Sequence, residues 1–165
     1  MKSKIHKHQN QTKNIVCKRL ILTTSFVIYC FANTVFGQDI PQNQVPSVIV
    51  NSFQQTFPKA FDVEWKLDGE NYKVEFEVGL YGADHEVWYD KTGKFVRHEE
   101  DISKDDLPQK ISNKISTDFV GYSVDDVEKI TEGDKTIYKL ELKSLTEEWK
   151  VAFDSEGNIL SKVAD

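Results

Sequence analysis

Apolar residues recur at every fourth position in two stretches of the chain. The first stripe is Val45, Ile49, Phe53 and Phe57, and the second, 62 residues later, is Leu107, Ile111, Ile115 and Phe119. This spacing places the side chains on one face of an amphipathic helix, and Val48 widens the first stripe. Pro46 and Pro108 fall where the first turn of a helix tolerates proline. We therefore predict one helix at the start of each of two equivalent segments.

Alternating apolar and polar residues follow each predicted helix. The alternation is clearest at 72–78 and 138–143, and it indicates strands with one buried face and one wet face. Further strands are predicted at 61–67, 85–90, 95–99, 124–131, 149–154 and 159–163. The fold class is therefore α+β, with two tandem repeats that each pack one helix on one face of a four-stranded antiparallel sheet.

The repeat also defines the organisation of the chain. We predict a flexible leader at 38–44, a first repeat at 45–102 and a second repeat at 103–165. A unit of about 60 residues buries only about 60% of its unfolded surface, so we expect the repeats to share an interface in one globular unit. The offset between the repeats rises from 62 at the helices to 66 at the second strands. This difference predicts a longer first hairpin in the second repeat, around 132–135.

The first 37 residues predict a secretory signal. Six basic residues and no acidic ones accompany an apolar run at 20–35, which is shorter than the roughly 20 residues that a membrane-spanning helix needs. Cleavage is expected between Gly37 and Gln38. Two alternatives stay open, an uncleaved signal anchor and a lipoprotein modified at Cys30. The bulky Tyr29 before that cysteine fits a lipoprotein processing site poorly.

Removal of the signal changes the charge and the cysteine content. The full chain has 21 basic and 27 acidic residues, and the predicted mature chain keeps 15 of the basic ones, for a net charge of −12 over 128 residues. Such a surface repels nucleic acid and anionic lipid, so neither is expected as a partner. Both cysteines, Cys17 and Cys30, lie in the signal. Disulfides, thiol nucleophiles and thiolate metal sites are therefore excluded from the mature chain.

Several motifs resemble those of a known family. They are the Val45-Pro46 opening, the Phe57-Pro58 helix end, Trp65 in the first strand, and the hairpin sequence Trp88-Tyr89-Asp90 with Gly93. Together they look like the beta-lactamase-inhibitor-like, PepSY-like family of exported bacterial proteins, over nearly all of 45–165. The resemblance implies a secreted or periplasmic, non-enzymatic protein of tandem helix-on-sheet repeats. It transfers no inhibitory residue, and the second repeat departs from it with Val127 in place of Trp65.

The sequence carries no catalytic pattern. Neither a Ser-His-Asp arrangement nor a His-Glu-x-x-His, P-loop or Gly-x-Gly-x-x-Gly motif is present, so no enzyme activity, catalytic residue or cofactor is predicted. The segments 90–93 and 154–157 each combine Asp and Gly as a turn between strands requires. They lack the alternating oxygen ligands of a calcium loop.

Only two histidines, His85 and His98, belong to the predicted mature chain. If the turn at 90–93 joins adjacent strands, they lie close together across a hairpin. The flanking acidic residues are Asp84, Glu86, Glu99 and Glu100. The pair suggests a site for a divalent metal or small ligand, but a solvated, charged sheet end explains the same residues, and we assign no metal site. The second repeat has Trp149 and Lys162 at the matching positions.

The candidate binding residues are apolar. Leu80 and Tyr81 lie between two glycines at a hairpin tip, and Trp88 falls on the opposite sheet face from Val87 and Tyr89. Such residues anchor interfaces, although they also serve to pack against another repeat, a neighbouring strand or the leader. The sequence therefore predicts an exported, non-catalytic module that contacts a protein or peptide in the cell envelope through its sheet face and hairpin tips. Metal or small-ligand binding at His85 and His98 is the alternative function, and no oligomeric state is assigned.

Overall fold

The computed structural model describes residues 38–80 and 82–165. The predicted signal at 1–37 and the candidate residue Tyr81 lie outside the described residues. The elements are β1 (Gln38–Asp39), α1 (Ser47–Thr56), β2 (Phe61–Asp68), β3 (Asn71–Val78), β4 (Ala83–Tyr89), β5 (Phe95–Asp101), α2 (Gln109–Asp118), β6 (Ser123–Glu132), β7 (Lys135–Lys143), β8 (Glu148–Asp154) and β9 (Ile159–Ala164). Within the described residues, no helix is long and apolar enough to cross a membrane.

The nine strands form one antiparallel sheet in the order of the sequence. Each helix precedes four strands, and the two sets meet where β5 pairs with β6. This ladder runs from Arg97 opposite Glu132 to Asp101 opposite Glu128. The predicted α+β class and antiparallel repeats are confirmed, and the two sets of strands share one continuous sheet.

Each helix buries its predicted stripe against one face of the sheet. The core beneath α1 contains Val45, Ile49, Phe53, Trp65, Val74, Phe76, Val87 and Tyr89. The core beneath α2 contains Leu107, Ile111, Ile115, Phe119, Val127, Tyr138, Leu140, Leu142, Val151 and Phe153. The expectation that Val48 widens the first stripe is wrong, because its side chain is 47% exposed. Val50 packs against the first core instead.

Both predicted Asp-Gly turns join adjacent strands. The Asp90 carboxylate accepts hydrogen bonds from the backbone N–H groups of Thr92 and Lys94, at 2.8 and 3.1 Å. Asp154 accepts equivalent bonds from Glu156 and Asn158, both at 2.9 Å. Each aspartate therefore fixes its own turn through backbone donors, as the sequence pattern predicts.

The first hairpin of the second repeat is longer, as the change in offset predicts. Both hairpins have two-residue loops, between Asp68 and Asn71 and between Glu132 and Lys135. The added residues therefore lie in the strands of the hairpin and not in its turn. The extension supplies Thr131 and Glu132, which pair with His98 and Arg97 of β5. The longer hairpin thus lengthens the junction between the repeats.

The β2 edge of the sheet is partly covered by β1 and is irregular in its pairing. The segment predicted as a leader contains β1, whose Gln38 and Asp39 pair with Leu67 and Lys66 of β2. The pairing of β2 with β3 shifts between Phe61 and Glu64, and Asp62 there has a φ of +52°. The hydrophobic pattern did not indicate β1, because the leader lacks alternating apolar residues.

Candidate functional site

His85 and His98 meet across the hairpin of β4 and β5. His85 Nδ1 lies 3.0 Å from His98 Nε2. In the strand register His85 is opposite Phe76, and His98 is opposite Val87. Phe76 and Val87 belong to the core beneath α1, so both histidines lie on the helix-covered face. The interpretation as a solvated, charged sheet end does not describe this environment.

Aromatic side chains enclose the histidine pair. The His85 ring stacks on Phe76 with centroids 5.2 Å apart and planes 10° apart, and the His98 ring meets Phe57 edge-on at 5.5 Å. Burial lowers the pKa of both histidines from the ordinary value, although Glu100 opposes that shift. Burial therefore favours the neutral form of both imidazoles, and a neutral pair allows one ring to donate its N–H to the other.

Glu100 completes this cluster. It lies opposite His85 on one side and Lys129 on the other. Its Oε1 accepts a hydrogen bond from Lys129 Nζ at 2.7 Å, and its Oε2 lies 3.9 Å from His85 Nδ1. One ligand atom from each of His85, His98 and Glu100 falls within 4.8 Å of the others. We call these three residues the histidine cluster.

The other acidic residues that flank the histidines in sequence lie on the opposite face. Asp84 and Glu86 are the immediate neighbours of His85 in β4, and Glu99 is the immediate neighbour of His98 in β5. Successive side chains of a strand point to opposite faces, so these three carboxylates face away from the histidines. Sequence proximity therefore suggested four acidic neighbours, whereas the strand geometry leaves Glu100 with the histidines.

The second repeat fills the matching place with a cation and an aromatic ring. Lys162 is opposite Val151, as His98 is opposite Val87. Its Nζ lies 3.8 Å from the centroid of the Trp149 ring, which is a cation–π contact. The histidine cluster is therefore specific to the first repeat.

A depression of about 440 Å³, which we call the acidic depression, is lined mainly by side chains of the helix-free face of the sheet and also by Phe76 and His85. The carboxylates that line it are Glu75, Asp84, Glu86, Glu99, Asp101 and Glu128. Several are direct cross-strand neighbours, as Glu86 is of both Glu75 and Glu99. Like charges in such pairs repel each other, so this surface requires nearby cations.

Basic side chains offset part of that repulsion. Lys73 Nζ bridges Glu75 at 2.7 Å and Glu86 at 2.8 Å, and Lys139 pairs with Glu128 at 2.9 Å. Burial, and then the neighbouring carboxylates led by Glu128, raise the pKa of Asp101. The acidic depression therefore keeps an excess of negative charge in spite of its ion pairs.

Trp88 lies on the same helix-free face as the acidic depression. Its indole N–H donates to the Asp68 carboxylate at 2.7 Å. Lys73 Nζ and Arg97 Cζ lie 5.0 and 5.3 Å from the ring centroid. The half-buried ring is therefore held in one orientation by a hydrogen bond and flanked by two cations.

Leu80 at the β3–β4 hairpin tip is 95% exposed, so it does not fold back onto the other repeat. Sequence reasoning missed Leu145, which is fully exposed at the β7–β8 tip. These hairpins occupy equivalent places in the two repeats and end at the same end of the sheet, because the strands alternate in direction. The repeat itself was the signal that could have identified Leu145.

Known proteins share this architecture. A family model described as "Putative beta-lactamase-inhibitor-like, PepSY-like" matches residues 35–81 and 70–161. A solved "putative periplasmic" protein from Bacteroides eggerthii is 18% identical with a TM-score of 0.62, covering 73% of this chain and 88% of its own. A DUF2874 family protein from Bacteroides uniformis is 22% identical with a TM-score of 0.60, covering 72% and 88%. A BLIP-like protein from Bacteroides fragilis is 18% identical with a TM-score of 0.61, covering 76% and 87%. No curated protein matches the chain significantly.

Proposed function

Because the chain belongs to the beta-lactamase-inhibitor-like, PepSY-like family, we propose that it is an exported, non-catalytic binding protein. It holds a protein or peptide partner against the helix-free face of its sheet and its hairpin tips. The partner presents a basic surface with an apolar side chain. The observation that carries the proposal is the acidic depression, which lies beside the exposed Leu80 tip at the start of β4.

Charge supports a basic partner. The ion pairs of Lys73 and Lys139 leave Asp84 and Asp101 in a surface crowded with other carboxylates. A lysine or arginine of the partner would relieve this repulsion and form charge-assisted hydrogen bonds. Electrostatic attraction of this kind also accelerates association and weakens as salt is added.

Apolar residues supply anchors beside the charge. Leu80 and Leu145 project from equivalent hairpin tips, and Trp88 presents a fixed ring on the same face as the acidic depression. Exposed leucines lose water-contacting surface on binding, and rigid aromatic residues are common energetic centres of interfaces. The helix-free face and its hairpin tips therefore combine negative charge, which attracts a basic partner, with apolar residues that the partner can contact.

Export and the absence of catalysis rest on sequence features. The predicted signal at 1–37 supports export, and the similar Bacteroides eggerthii protein is described as periplasmic. A signal anchor or lipidation at Cys30 would keep the same module at a membrane surface. The sequence contains no recognisable nucleophile–base arrangement or nucleotide-binding motif, which supports binding as the function.

The test uses the purified protein as bait on native envelope and secreted fractions, followed by titration with the captured partner after its purification. The open-face variants are Leu80→Ser and Asp84→Asn/Asp101→Asn. The matched control is Gln55→Ser on the exposed surface of α1. We expect wild type and control to bind equally, the open-face variants to bind at least tenfold more weakly, and affinity to fall with salt. The proposal would be refuted if Gln55→Ser alone bound the partner more weakly than wild type. It would also be refuted if the affinity for the partner changed neither with salt nor in the open-face variants.

A further inference from the structure

We propose that the histidine cluster binds a divalent transition-metal ion such as Zn²⁺. The ligands are His85 Nδ1, His98 Nε2 and Glu100 Oε2, which lie within 4.8 Å of one another. This site goes beyond the proposed partner binding, because its ligand side chains lie on the helix-covered face of the sheet and none of them is a residue assigned to partner contact, although His85 also borders the acidic depression.

The spacing of the two histidine nitrogens is close to what a metal requires. Zinc binds imidazole nitrogen at about 2.0–2.1 Å, so two nitrogens in tetrahedral geometry lie about 3.3 Å apart. His85 Nδ1 and His98 Nε2 are 3.0 Å apart. A metal ion would therefore take the place of the proton that the two rings share, with a small separation and rotation of the rings.

The two carboxylate oxygens of Glu100 have different neighbours. Its Oε1 is occupied by Lys129 at 2.7 Å, whereas its Oε2 is directed toward the histidines at 3.9 Å from His85 Nδ1. Lys129 thereby orients the carboxylate, as outer partners of metal ligands commonly do.

The donor set selects the class of metal. Two neutral imidazoles and one carboxylate suit Zn²⁺ and neighbouring transition metals, whereas Mg²⁺ and Ca²⁺ prefer oxygen ligands only. Three protein ligands leave a fourth position for water or a small anion.

The aromatic surroundings pre-arrange these ligands. Phe76 stacks on the His85 ring and Phe57 contacts the edge of the His98 ring. The side chain of His85 is only 11% exposed. Packed walls of this kind restrict the ring rotamers and reduce the entropy lost on metal binding.

The second repeat has other residues at the positions of the three proposed ligands. Trp149, Lys162 and Ala164 match His85, His98 and Glu100, because Trp149 is opposite Ala164 and Val151 is opposite Lys162. The variant His85→Trp/His98→Lys/Glu100→Ala therefore replaces the ligands with residues that this fold already accommodates. It is the matched control for metal binding.

The experiment titrates ZnCl₂ into the protein, purified without a histidine tag, and follows heat release and thermal unfolding. We expect saturation at one ion per chain and a rise in Tm of about 10 °C at a free Zn²⁺ concentration 100-fold above Kd. CoCl₂ should give the visible absorption of a nitrogen- and oxygen-ligated ion, and MgCl₂ should leave Tm unchanged. The matched control should lose the Tm rise and the Co²⁺ absorption.

His85→Phe retains a ring stacked on Phe76 and serves as a second variant that keeps the fold. It should weaken Zn²⁺ binding by at least tenfold. The absence of saturable Zn²⁺ binding to the wild type would overturn the proposal. Equal Zn²⁺ binding by wild type and both variants would also overturn it, because the ions would then occupy surface carboxylates such as Glu141, Glu148 and Asp165.

Discussion

Gly157 lies directly against the backbone of Lys110, so that a Cβ atom added to Gly157 would stand 3.1 Å from the Lys110 carbonyl oxygen. Gly93 has the same relationship to Val48 in the first repeat, where an added Cβ would stand 3.3 Å from the carbonyl oxygen. Both glycines have a φ of +84°. Each Asp-Gly turn therefore packs against the first turn of the helix in its own repeat.

Substitution Gly157→Ala should destabilise the protein by about 2–3 kcal/mol, because the added Cβ would crowd the Lys110 backbone and also bear the cost of positive φ. The measurement is the free energy of unfolding in urea. Gly133→Ala is the control, since Gly133 also has positive φ, at +58°, but an added Cβ there meets no atom within 4 Å. The control should cost only about 1 kcal/mol. Equal losses in the two variants would show that the contact with Lys110 contributes nothing.

Ile49 and Ile111 occupy equivalent, fully buried positions in the two helices. Truncation of either to Ala should cost about 2–5 kcal/mol through lost burial and the cavity left behind. Because the ladder between β5 and β6 joins the two cores in one sheet, we expect Ile49→Ala to reduce hydrogen-exchange protection in β7 and β8 as much as in β3 and β4. Reduced protection confined to β2–β5 would indicate that the repeats unfold independently.

The ion pairs of Glu75 predict a loss of stability in acid. Burial disfavours the charged carboxylate, but hydrogen bonds from Lys66 and Lys73 outweigh it and lower the pKa of Glu75. Its contribution is therefore present above the unfolded-state pKa of about 4.3 and is lost as the pH falls through the lower folded-state value. Glu75→Gln should cost about 0.5–1 kcal/mol at pH 7.

Lys73, which pairs with Glu75, has the opposite pH dependence. Burial opposes its charge, but Glu75 and Glu86 outweigh burial and raise the pKa of Lys73. Its stabilising contribution is present below about pH 10.4 and is lost as the pH rises through the raised folded-state value. In acid, the free energies of unfolding of wild type and Glu75→Gln should converge as the pH falls from the unfolded-state pKa of about 4.3 through the lower folded-state pKa of Glu75. A constant difference across the acid range would contradict a role for charge.

The contact between Lys162 and Trp149 should be measurable as a coupling energy. With Nζ at 3.8 Å from the ring centroid and a largely exposed lysine, we expect a coupling of about 0.5–1 kcal/mol. The measurement is a double-mutant cycle with Lys162→Met and Trp149→Leu. Additive effects of the two substitutions would show that the cation and the ring do not interact.

The sequence predicted the helices and most strands because each has a strong hydrophobic period. Ile49 and Ile111 identify the helices, and the alternation at 72–78 and 138–143 identifies the central strands. The end of β5 was predicted two residues early. Glu100 and Asp101 carry no apolar alternation, and their strand state depends on pairing with β6.

The candidate site was only partly predictable for the same reason. The turn at 90–93 correctly placed His85 beside His98, because a hairpin fixes cross-strand neighbours. Their burial was missed, since it depends on Phe57 at the end of α1, a contact between residues far apart in sequence. Leu145 was missed because the sequence around it is polar and gives no strand or helix signal.

The shift in the pairing of β2 at Asp62 has a consequence for self-association. The short β1 covers only the Leu67 end of β2, so the Phe61 end is the part of this edge where another chain would add a strand. A charged residue at φ +52° bends the backbone there and interrupts the regular row of donors and acceptors. The irregular backbone at Asp62 therefore disfavours strand addition, and with it fibril growth, at the Phe61 end of β2.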